Sequence, residues 1–247
     1  PSTPAAAIQW GTRPQQRTVT AELSTLEERM TAANLQSPVL LVIGEVVEQR
    51  QALEWFESRP LFGRRILITR SRDQSLALRH GLETQGGEVF ELPLLELTPP
   101  EDPGPLDQAL NQLEHYAWIV FSSPNAVRFF FDRLQHDGRD SRALGPCKIA
   151  AIGTTTAPCL AQQGLTADLT PENQTAAGLS DAFATVDVEG ARILVPSSAI
   201  GRTAVDDALT AQGAMVTRVT AYENRPPEPH SVEIPPALTE GHMDCIV

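Results

Sequence analysis

The octapeptides Arg64–Ser71, RRILITRS, and Ala191–Ser198, ARILVPSS, decide the fold. Each reads as a buried strand, and each leads into a helical pattern closed by a Gln-Gly turn: DQSLALRHGLETQGG (Asp73–Gly87) and TAVDDALTAQG (Thr203–Gly213). Ile66 and Ile193 begin equivalent strands, an offset of 193 − 66 = 127 residues. The same offset carries Gly63 to Gly190, Arg65 to Arg192, Leu67 to Leu194, Leu82 to Leu209, Gln85 to Gln212, Gly86 to Gly213 and Val89 to Val216. Identities clustered at strand start, helix end and turn point to a duplicated unit. The offset also takes Ile119 to Ile246 and Val120 to Val247, so the last residues match the middle of WIVFSSPNAV, Trp118–Val127. The second repeat is therefore expected to be incomplete, with Val247 a break inside a buried strand that begins at Cys245.

Outward from these strands the alternation continues. EVFELPLLEL (Glu88–Leu97) reads as one strand, followed by the acidic, Pro-rich TPPEDPGP and a helix around Leu106–Leu113. Ala117–Ser123 and Lys148–Gly153 read as further strands, each ahead of a helix. This order argues for an α/β fold with parallel sheets flanked by helices, and a duplicated unit argues for two lobes with a ligand cleft between them. Before Arg59-Pro60 the pattern differs. PAAAIQW (Pro4–Trp10) and VLLVIGEVV (Val39–Val47) read as inner strands, Ser24 with Glu27 as a capping box opening a helix that Asn34 stops, and EQRQALEWF as a short closing helix. Two strands and two helices make a poor domain alone, so this segment reads as the end of a larger one.

With 41% apolar and 20% charged residues, the 247-residue chain can bury a substantial core. No apolar run approaches bilayer-crossing length and no export signal opens the chain, so the expectation is a cytoplasmic protein without a membrane partner. A formal charge of -12 argues against a nucleic-acid partner, but not against a small anionic ligand held in a local pocket. Cys147, Cys159 and Cys245 lack metal-ligand spacing, and no pair among the five His has it. No metal is expected, and the cysteines read as small buried residues.

Three strand ends share one chemistry. FSSPNAV sets Ser122 and Ser123 before a helix opened by Pro124, with Ser123 its natural N-cap. IGTTTAP sets Thr154 to Thr156 after Gly153, and VPSSAIGRT sets Ser197 and Ser198 near Arg202. In a parallel sheet these turns lie along one edge, offering hydroxyls, N–H groups and helix-dipole ends to an anion; each taken singly is also an ordinary cap. Tyr222, in VTAYENRPP, ends a strand, where its phenol either donates to a leaving group or simply packs with its hydroxyl in water. No G-x-S-x-G elbow, P-loop or G-x-G-x-x-G is present.

In this order from Gly63 to Val247, RRILITR, WIVFSSPNAV, KIAAIGTTTAPCLAQQGL, ARILVPSS and VTAYENRP resemble uroporphyrinogen-III synthase, the enzyme that closes hydroxymethylbilane into uroporphyrinogen III on the way to haem, sirohaem and cobalamin. PAAAIQWGTRPQQRTV, SPVLLVIGEVV and LEWF resemble the C-terminal end of uroporphyrinogen-III C-methyltransferase, and bacterial fusions of the two enzymes have this order. The resemblance implies a two-lobed synthase fold preceded by an α/β methyltransferase fragment. Residues 1–60 would be that fragment, 61–93 with 223–247 the first, incomplete lobe, and 94–222 the second. It implies a synthase without metal or organic cofactor, in which loss of the substrate hydroxyl gives an azafulvene cation, attack gives a spiro intermediate, and rearrangement inverts the last ring. By position, Ser122, Ser123, Thr156, Ser197 and Ser198 would bind substrate and Tyr222 would assist hydroxyl departure. The methyltransferase parent would use S-adenosylmethionine, of whose site Thr3, Pro4 and Ala5 at most would remain. Two departures stand out: the family's second Ser-Pro-like and Gly/Thr turns would fall beyond Val247, and the methyltransferase Gly-rich loop would fall before Pro1. The other readings are a two-lobed module that binds a small polyanion without chemistry, and S-adenosylmethionine-dependent methylation.

Overall fold

The computed structural model describes residues 2–228 and 233–247; of the segment 223–247 expected in the first lobe, residues 229–232 lie outside the described residues. The strands are β1 (Pro4–Gln9), β2 (Arg17–Glu22), β3 (Val39–Ile43), β4 (Arg65–Ile68), β5 (Glu88–Glu91), β6 (Glu96–Thr98), β7 (Trp118–Phe121), β8 (Lys148–Ala151), β9 (Arg192–Ser198), β10 (Met215–Arg225) and β11 (Cys245–Ile246). The helices are α1 (Leu26–Ala32), α2 (Arg50–Leu53), α3 (Arg72–Thr84), α4 (Gly104–Leu110), α5 (Pro124–His136), α6 (Thr156–Gln162), α7 (Ala176–Phe183), α8 (Ala204–Ala211) and α9 (Pro236–Thr239). The chain divides into two compact units, Leu97–Arg225 and a unit made of Pro1–Glu96 with Pro226–Val247.

The continuous unit is built on a sheet of order β6-β10-β9-β7-β8, with β10, β9, β7 and β8 parallel. Strand alternation sorts its core into two layers. Ile119, Phe121, Ile149, Ala151, Leu194 and Val219 pack on one face against α4, α5 and Leu160 of α6. Trp118, Val120, Ala150, Ile152, Ile193 and Val195 pack on the other against Leu179 and Phe183 of α7 and Leu209 of α8. The chain winds from β7 outward to β8, then returns to place β9 on the far side of β7. The carboxyl ends of β7 and β9 therefore flank the point where the winding reverses, the usual ligand crevice of an open α/β sheet.

The other unit holds an antiparallel sheet β2-β1-β3 and a parallel sheet β11-β4-β5. The duplication is written in the pairing. Opposite Ile119 of β7 lies Leu194 of β9, and opposite Ile246 of β11 lies Leu67 of β4. Ile193 faces Val216 in the same way that Ile66 faces Val89. Each pair maps onto its counterpart by 127 residues.

Several local expectations are corrected. Glu88–Leu97 forms two strands in different sheets, because the segment turns at Leu92–Leu95, around Pro93, which lacks an N–H. Thr25, rather than Ser24, is the N-cap of α1, and no side chain caps it. β3 is an edge strand, with Leu40, Leu41 and Ile43 exposed, since the sheet places β1 in the middle and adds β2, whose alternating RTVTAE escaped the reading. β11 forms, yet its residues are exposed at the edge of their sheet, so Cys245 is not a buried cysteine; Cys147 is.

Candidate active site

The four parallel strands of the continuous unit deliver their carboxyl-end turns to one edge. Tyr222 lies near the end of β10, Ser197 and Ser198 end β9, Ser122 and Ser123 follow β7, and Gly153–Thr156 follow β8. The side chains meet different fates. Ser123 caps α5: its Oγ accepts from the Ala126 N–H at 3.1 Å. Ser122 is exposed beside it. With Pro124 in the first helical position and Ala126 and Val127 bonded back to Ser123, helix geometry leaves the Asn125 N–H without an intrahelical acceptor.

Tyr222 is placed by a break in the strand pairing. Thr220 faces Ser197, yet Tyr222 faces Ser198, a bulge at Ala221. In a regular strand Ala221 and Tyr222 would point to opposite faces; here both join Val219 in the core layer under α5. The phenol oxygen comes 3.4 Å from Ser123 Oγ, and either oxygen can donate. The Tyr222 ring stacks on Phe129 of α5, centroids 5.4 Å apart and planes 17° from parallel. The Arg128 guanidinium sits over the Phe129 ring at 4.7 Å.

The other hydroxyls are more enclosed. Thr156 is 1% exposed and donates to the Ile152 carbonyl at 2.6 Å. Gly153, at φ +101°, makes that return possible, because residues with a side chain rarely adopt this backbone conformation. Thr154 and Thr155 are the exposed residues of this turn. Ser197 is buried and donates to the Ser198 carbonyl at 3.3 Å; Ser198 is half-buried. Arg202 exposes its side chain, while its carbonyl is held at 3.0 Å by Arg218, which also pairs with Asp206 of α8 at 2.7 Å. The sequence reading overlooked Arg218 and Phe129. Nothing in the sequence marks the first, whereas the FFF run on a helix capped by Ser123 was a usable signal for the second.

Cys147 is no nucleophile: burial, reinforced by the charge of Asp168, pushes its thiol up to about 12. Among the described residues no group of three or more His, Cys, Asp or Glu could hold a metal ion, and no helix is long and apolar enough to cross a membrane. Of the residues Thr3–Ala5, Pro4 and Ala5 open β1. The carbonyls of Thr3 and Pro4 already accept from Leu23 and Gly44, and Ala5 is sealed in a small core with Ala7 and Leu26.

The sequence model of the family described as "Uroporphyrinogen-III synthase HemD" matches residues 77–247. A uroporphyrinogen-III synthase of Synechococcus elongatus is 36% identical over 189 residues, covering 76% of this chain and 71% of that protein. A porphyrin biosynthesis protein of Ruminiclostridium josui is 31% identical over 243 residues, 98% of this chain but 48% of that protein, so the chain spans about half of that relative's length. A uroporphyrinogen-III C-methyltransferase of Bacillus subtilis is 49% identical over 57 residues, 23% of this chain and 22% of that protein. A crystal structure of a mutant uroporphyrinogen III synthase from Thermus thermophilus matches with a TM-score of 0.53 at 18% identity, covering 74% of this chain and 71% of that one; at that identity the likeness shows the fold.

Proposed function

Because the chain belongs to the uroporphyrinogen-III synthase family, we propose that its function is to cyclise hydroxymethylbilane with inversion of the last ring, within a protein that joins this activity to a uroporphyrinogen-III C-methyltransferase. In this reading residues 1–60 are the methyltransferase-type segment, 61–93 with 223–247 one synthase lobe, and 94–222 the other. The observation that carries it is the pairing of Tyr222 with Ser123 at the sheet edge where the winding reverses.

The chemistry follows from that pair. Either hydroxyl can donate across this contact; where Ser123 Oγ, which accepts from Ala126, gives its own proton to the phenol oxygen, the phenol proton is left for the substrate. As the C–O bond of the hydroxymethyl group breaks, Tyr222 protonates the departing oxygen and water leaves; the pyrrole nitrogen supplies electrons to give the azafulvene cation. The substituted carbon of the last ring attacks, the spiro intermediate rearranges, and the proton lost from the closing ring restores the phenol. The exposed Ser122 and Thr154, Ser198 and the Asn125 N–H present donors for the substrate's acetate and propionate groups. Holding these groups folds the chain before it closes the wrong way. The S-adenosylmethionine of a methyltransferase enters no step of this cyclisation, which transfers no methyl group.

The test is to incubate the whole protein that contains this chain with hydroxymethylbilane and separate the porphyrinogen isomers after oxidation. Type III above the spontaneous type I background, reduced about tenfold or more in Tyr222→Phe, is the expected result. Type I alone overturns the reading, and saturable binding without turnover supports a binding module instead.

A further inference from the structure

Phe129 does more than fill space. It is the one residue of α5's aromatic run that stacks on Tyr222, whereas Phe130 and Phe131 pack on Phe121 and on each other inside the layer below the sheet. The same helix thus touches Tyr222 at two points: its cap, Ser123, at the phenol oxygen, and Phe129 on the ring face. The backbone under Tyr222 is a bulge, where the pairing to β9 shifts register. A bulge re-aims a side chain but leaves its plane to be set by neighbours. The 3.4 Å contact with Ser123 keeps the oxygen near the helix cap, and rotation about the line from Cβ to that oxygen would still turn the ring. That rotation swings the phenol hydrogen, which lies near the ring plane, toward or away from the substrate side. Stacking on Phe129 is what opposes it.

We infer that Phe129 is a positioning residue for the proposed reaction, holding the plane of the Tyr222 ring so that its proton points at the departing hydroxyl. The inference rests on the reading of Tyr222 as proton donor. It makes three expectations of kcat and KM. Phe129→Leu keeps an apolar side chain and loses the stack, so kcat falls about tenfold while KM stays within twofold. Phe129→Tyr keeps a flat ring and restores most of kcat. In the Tyr222→Phe background, Phe129→Leu causes no further loss, because there is no phenol proton left to aim.

A second readout does not depend on turnover. The chain holds two tyrosines, so the Tyr222 ring resonances are those that vanish in Tyr222→Phe. Their displacement by the Phe129 ring current should disappear in Phe129→Leu and persist in Phe129→Tyr. Tyr222 resonances that do not move in Phe129→Leu, or a loss of rate that adds in full to that of Tyr222→Phe, overturn the positioning role. A Tyr222→Phe rate equal to that of the unaltered chain overturns the proton-donor reading itself, and with it the foundation of this inference.

Discussion

Thr154 and Thr156 stand two positions apart in one turn and do opposite things. A run of three threonines before a helix shows that hydroxyls are available, but whether each faces water or core depends on the φ of Gly153 and the path of the Ile152 carbonyl. Composition cannot carry that information. Thr156→Val is expected to lower stability by about 1 kcal/mol, since the buried Ile152 carbonyl loses a donor, while KM for hydroxymethylbilane stays within twofold. Thermal melting beside a Michaelis curve checks both parts, and a large KM change with an unaltered melt would return Thr156 to the substrate. Ser123 separates its two jobs under substitution. Ser123→Ala loses the cap, at about 1 kcal/mol, and the partner of Tyr222. Aspartate is an equally good N-cap but only accepts hydrogen bonds, so Ser123→Asp should retain the melting temperature yet take the phenol proton for itself. The expected outcome is a stable protein slowed at least as much as Ser123→Ala; a Ser123→Asp variant at full rate would show that the phenol proton is not needed.

At the scale of elements, legibility depended on whether the pattern was local. Offset identities such as Ile66 with Ile193 and Val89 with Val216 fixed which strands are equivalent, and the pairings obey the same offset, because register follows the residues that must face the core. The Ser123 cap was readable for the same reason: N-cap chemistry is decided within four residues. The division of Glu88–Leu97 between two sheets was not readable, since both halves are apolar and the partner strands are remote. Nor was α7, whose AAGLSDAF is short and carries a glycine. Contacts between elements were likewise hidden. Arg133 of α5 grips Asp107 of α4 with two hydrogen bonds of 2.6 Å, and this guanidinium holds the Asp107 carboxyl below its ordinary value. A depressed carboxylate contributes stability that is present above its unfolded value, near pH 4, and is lost as pH falls through the folded value. Asp107→Asn should therefore destabilise the protein by about 1 kcal/mol at pH 7 and progressively less below about pH 4, narrowing the gap to the unaltered chain. Urea midpoints across that range measure it, and a gap that widens in acid would contradict the assignment.

For the molecule as a whole, chain continuity decides which part can stand alone. Leu97–Arg225 is one uninterrupted segment that contains both core layers and all the hydroxyls and the phenol of the candidate site. The other unit draws on two separated segments, and β11, which pairs with β4 beside the buried Ile66 and Leu67, comes from the second. Expressed alone, residues 97–225 should melt in one cooperative transition and give Tyr222 resonances at the positions they hold in the whole chain. Its strands bury their apolar faces on helices of the same segment, so folding needs no covering from outside. Residues 1–96 alone should be less stable than when 226–247 is supplied, because β4 loses the pairing of β11 while keeping its apolar residues. A broad, non-cooperative melt of 97–225 with exposed apolar surface would mean that its two layers do not suffice, and that the site depends on chain outside the segment that carries it.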